Sequence, residues 1–110
     1  MMTLQVDVSK IYEKHKVKVA EIHPIVGIWE FLVVGCPIRP KVKVIKIVPW
    51  NKYMGMCSHT IQNPSQKSPY ISLNMFDTVE EAIDDSISGF LKYWDPKDAD
   101  KTKLEPSKFF

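Results

Sequence analysis

The sequence predicts an α+β domain: an antiparallel β-sheet of four to five strands in meander order, with one long C-terminal helix packed on one face. Three observations carry this expectation. Runs rich in β-branched and aromatic residues occupy the chain up to residue 76, one strong helical pattern follows over 78–94, and no strand–helix–strand alternation is present to build a parallel sheet.

The N-terminal part is the least patterned. VSKIYEKHK (8–16) reads as a short helix and VKVAEI (17–22) as a further strand. IWEFLVV (28–34) is apolar at both parities except for Glu30, as in a central strand covered on both faces. In KVKVIKIV (41–48), Val42 and Val44 alternate with lysines, and Ile45 and Ile47 then take the opposite parity. Such a switch predicts either a β-bulge or a strand with both faces partly covered. YMGMCSHTI (53–61) and YISLNMF (70–76) flank the polar connector QNPSQKSP and read as a long-looped hairpin.

The helix rests on local rules. Thr78 followed by Glu81 is a capping-box pair, and Glu80, Glu81, Asp84 and Asp85 crowd the turns where the helix dipole favours negative charge. Val79, Ala82, Ile83, Ile87, Phe90, Leu91 and Trp94 recur at three- and four-residue steps and predict one apolar stripe. Asp95 before Pro96 ends the run. Gly89 inside the helix implies a close approach of its backbone to the sheet. One compact domain is thus expected over 1–95, followed by a polar, flexible tail over 96–110 whose last residues, Phe109 and Phe110, are free to dock on the domain or on a neighbour.

The totals narrow the class. The chain has 110 residues, 45% hydrophobic and 25% charged, which suits one soluble domain. Two cysteines are too few for a disulfide framework, no apolar run approaches the length of a membrane span, and no secretory leader pattern opens the chain. A cytoplasmic location is the expectation that follows. The formal net charge is +2, with the basic excess before residue 77 and an acidic cluster at the helix N-terminus.

Cys57 and His59 are the weak catalytic candidates. Two residues apart on a strand, they would project from one face about 6.5 Å apart. A metal site would need further ligands from Cys36, His23 and His15, which form no ligand-spaced pair, so neither metal nor cofactor is expected. A nucleophilic Cys57 would need a lowered pKa and nearby oxyanion donors, whereas a mid-strand position suits a small buried hydrophobe. The four glycines are isolated, which excludes the glycine-rich phosphate loops.

Arg39, Lys41, Lys43, Lys46, Trp50 and Tyr53 form the candidate binding set, because basic side chains with interleaved aromatics on a sheet can hold single-stranded nucleic acid. Lysines alternating with valines also describe an ordinary solvated sheet face. Trp29, Phe31, Tyr70, Phe76, Phe90 and Trp94 could line an aromatic pocket, or build the core. The segment Asp77-Thr78-Val79-Glu80-Glu81-Ala82, following a strand and opening an amphipathic helix, resembles the ending of HicB-type antitoxin domains. CSHTIQNP stands where that family carries Pro-Asp-Leu-Pro-Gly, and the chain is not assigned to it.

The expected function is a small non-enzymatic binding or interaction module, with regulation as one role open to it. The alternatives are a small enzyme or ligand-binding protein using Cys57, His59 and an aromatic pocket, and a single-stranded nucleic-acid binder using 39–53. Because one helix covers only one face of a sheet that is apolar on both, a homodimer is expected through the face opposite the helix or the edge beside it.

Overall fold

The computed structural model describes residues 8–110. Helix α1 spans Ser9–His15; the strands are β1 Ile25–Glu30, β2 Lys41–Ile47, β3 Lys52–Cys57, β4 His59–Gln62, β5 Met75–Phe76 and β6 Lys103–Pro106; helix α2 spans Val79–Lys92. Strands β1-β2-β3-β5 form an antiparallel four-stranded sheet, and β4-β6 form a second, two-stranded one. The α+β class, the meander and the C-terminal helix on one sheet face are all present. At 14 residues that helix is of modest length.

Helix α2 begins as its sequence dictates. The Thr78 hydroxyl accepts the Glu81 backbone N–H and donates to the Glu81 carboxylate. Its buried stripe is narrower than the periodicity predicts: Ala82, Ser86, Gly89 and Phe90 are buried, Ile83 and Ile87 are half-buried, and Leu91 is exposed. Small residues dominate because the helix lies close on β3. A Cβ on Gly55 would come within 2.3 Å of Ser86 Oγ and 2.6 Å of the Ala82 carbonyl oxygen. The close approach expected at Gly89 is made by a side chain, Tyr70, whose hydroxyl a Cβ there would meet at 2.4 Å and whose ring at 2.5 Å.

The central strand is β2, not the run 28–34. Strand β1 covers 25–30 and lies at the sheet edge. Its ladder ends because Phe31 N–H still donates to the Pro40 carbonyl at 2.9 Å, but proline has no N–H to return. Gly35, with φ +76°, then turns the chain, leaving Leu32 and Val34 exposed. Along β2 the register with β3 runs unbroken from Val42↔Cys57 to Ile47↔Lys52. The parity switch therefore reflects two covered faces: Val42 and Val44 are buried toward α2, Ile45 and Ile47 on the other side. The irregularity in the sheet lies instead in β1, between Ile25 and Gly27.

Residues 53–61 are not one strand. Ser58 is the joint, for its N–H donates to the Lys41 carbonyl at 2.8 Å while its Oγ accepts the Lys41 N–H at 2.8 Å. The hydroxyl thus takes the place of the backbone acceptor, and the freed Ser58 carbonyl accepts the N–H of Ser107 at 2.8 Å in the second sheet. Of 70–76, only Met75–Phe76 pairs with β3, and Tyr70 makes a single antiparallel bridge to Ile61. Residues 17–22, expected as a strand, have no regular structure. Residues 96–110, expected as a polar tail, contain a 3-10 turn over Pro96–Lys101 and then β6. Trp94 is half-buried, its indole N–H donating to the Val34 carbonyl at 3.0 Å.

Candidate functional site

Cys57 ends β3 and His59 opens β4, so the two sit on either side of the Ser58 joint rather than on one regular strand. Both line a narrow cleft that also touches Tyr70, Ser86, Phe90 and Phe109. With about 30 Å³ of open space, the cleft admits roughly one water. The Cys57 thiol donates to the Ser86 carbonyl at 3.4 Å. Burial, reinforced by the Asp85 carboxylate, pushes its pKa up to about 11. At pH 7 about one thiol in ten thousand is then ionised, the opposite of what a nucleophile needs. His59 Nδ1 lies 2.8 Å from the Ser58 hydroxyl, and burial lowers the pKa of its imidazole. Asp85 itself accepts a hydrogen bond from Ser72 at 2.8 Å.

The basic set is divided by the alternation of β2. Lys41 and Lys43 share the face opposite α2, while Lys46 stands on the other face beside its cross-strand partner Tyr53. Trp50 lies beyond the strand in the 3-10 turn Val48–Trp50. Two of these cations are engaged. Arg39 pairs with Glu30 at 3.5 Å, and Lys43 donates to the Phe110 carbonyl and lies 4.9 Å from the centre of the Phe110 ring. Nearby Lys52 pairs with Asp77. The aromatic set is likewise dispersed: Phe31 meets Phe90 edge-on at 5.7 Å, and Tyr70 packs on Tyr93 at 5.0 Å.

The larger opening lies on the face opposite α2. The described N-terminal segment crosses that face and, with the 3-10 turn, borders an open cleft of about 480 Å³. Met54 and Met56 enter it because Gly55 between them points at the helix, and strand alternation sends both thioethers the other way. Ile45, Ile47, Met75 and Trp50 complete that wall, with Tyr12 and His23 opposite. The sequence carried this signal as the Met-Gly-Met triplet, which the Cys57–His59 spacing overshadowed.

Among the described residues, no group of three or more His, Cys, Asp or Glu is placed to hold a metal ion, and no helix is long and apolar enough to cross a membrane. Among the described residues, the fold and site define a small α+β domain with an unpaired β1 edge and a largely apolar cleft. Comparison with family models, with curated proteins and with solved structures finds no match.

Proposed function

We propose that the chain is a non-enzymatic binding module that works as a homodimer joined through the free edge of β1. The observation that carries this is the character of that edge. Ile25, Val26, Ile28 and Trp29 are all exposed, Ile28 to 52%, and Glu30 is the only charge in the strand. Soluble proteins ordinarily protect such an edge with lysine, proline or a covering loop. The Phe31-to-Pro40 bond sets the alternation, so the main-chain groups of Ile28 and Glu30 face away from β2. A second copy related by a two-fold axis perpendicular to the sheet would satisfy them and extend the sheet to eight strands.

The sheet face itself suits a dimer less well, because the protein's own N-terminal segment already lies over Ile45 and Ile47. In the edge-joined dimer, Lys41 and Lys43 of both copies share one face, which suits an anionic partner. Both cysteines are free thiols, in keeping with the reducing cytoplasm we propose as its location. The raised pKa of Cys57 favours this reading over an enzyme.

Light scattering across a range of concentrations tests it. The proposal expects a mass twice 12.7 kDa that falls to 12.7 kDa in Ile28→Lys, a substitution at an exposed site that leaves the fold intact. A 12.7 kDa species at every concentration, or a dimer indifferent to Ile28→Lys, would overturn it.

A further inference from the structure

We infer that the cavity between the N-terminal segment and the sheet is a binding site for a neutral aromatic small molecule. Its volume of about 480 Å³ falls within the range typical of small-molecule sites, roughly 300–1,000 Å³. The cleft opens to solvent beside Val48, Trp50 and Met75 and holds the volume of roughly 16 waters. Its walls are largely apolar, so water filling it would find few hydrogen-bonding partners.

Charge and wall chemistry define the ligand. Among the described lining residues, only Glu21 and His23 are ionisable to carboxylate or imidazolium, and they bond each other at 3.0 Å. Among the described residues no lysine or arginine lines the space, so an anion would be desolvated without a counter-charge. The Glu21 carboxylate is engaged by His23 and is 73% exposed, which leaves little to hold a cation. A neutral ligand remains. Met54, Met56 and Met75 offer polarisable thioethers that favour aromatic ring edges and adjust to ligand shape, and Trp50 and Tyr12 add ring surface.

Titration with N-phenyl-1-naphthylamine, a neutral aromatic fluorophore, tests the site, with methyl-labelled methionine read in parallel by NMR. The expected result is saturable one-to-one binding that shifts the methyl signals of Met54, Met56 and Met75. Ala20→Trp, which adds a ring at an exposed lining position, should weaken binding at least tenfold, while Ser88→Ala on the exposed side of α2 leaves it unchanged. The anionic analogue 8-anilinonaphthalene-1-sulfonate should bind at least tenfold more weakly. Absence of binding, methyl shifts that spare these three residues, equal affinity for the anion, or indifference to Ala20→Trp would each overturn the inference.

Discussion

The Cα of Gly55 in β3 lies directly against Ser86 of α2, so close that a methyl group at 55 would overlap the serine hydroxyl. This contact sets the distance between helix and sheet. Ser86 Oγ is buried and has no hydrogen-bond partner among the described residues, so the site combines tight packing with an unsatisfied polar atom. Gly55→Ala is expected to destabilise the protein by about 1–3 kcal/mol through overpacking. Ser86→Ala, which removes the orphaned hydroxyl, is expected to be neutral or stabilising. Urea midpoints decide both, and the double variant should recover part of the Gly55→Ala loss because the colliding atom is gone.

Phe90 is the largest fully buried side chain among the described residues, 1% exposed, and its ring meets Phe31 edge-on. Truncation to alanine should cost about 3–5 kcal/mol, measured by chemical denaturation. Trp94→Ala, at a half-buried position with one hydrogen bond to Val34, should cost clearly less.

Cys57 gives a prediction in pH. Its folded pKa, about 11, lies above the ordinary thiol value of 9.0, so the folded state holds the proton more tightly than the unfolded chain. The associated stability is fully present below pH 9 and is lost as pH rises toward 11. The difference in unfolding free energy between the protein and Cys57→Ala should therefore shrink across that window. In a Cys36→Ser background, alkylation at pH 7.5 should be much slower than that of the same chain unfolded in urea.

Deleting 103–110 removes β6, the partner of β4, and uncovers the otherwise buried Ile61. A loss on the order of 2 kcal/mol is expected from the broken strand pairing. Amide shifts should change most at Ser58 and through Thr60–Gln62. An unchanged melting temperature would mean that the C-terminal strand contributes nothing to the domain.

How far the sequence revealed this fold follows the range of the interactions involved. Helix α2 was readable because capping and a 3.6-residue period act within a few residues of each other. The strands were recognisable as strands, yet edge and centre were not distinguished, since 28–34 is as apolar as any central strand and only Pro40 and Gly35 detach it. Ser58 hid the division of 53–61, because a serine that replaces a backbone acceptor looks like any other strand residue. Strand β6, Lys-Leu-Glu-Pro, is too short and polar to carry a pattern. In the candidate sites, strand alternation alone separated Lys46 from Lys41 and Lys43. The cavity needed the N-terminal segment to fold back over the sheet, a contact with no local signature.

Backbone amide exchange at Ile28 and Glu30 tests the β1 edge most directly. In the dimer both N–H groups are expected to be protected at high protein concentration and to lose that protection on dilution or in Ile28→Lys. Trp29, which faces β2, stays protected throughout. Rapid exchange at Ile28 and Glu30 under conditions where light scattering shows a dimer would contradict pairing through this edge.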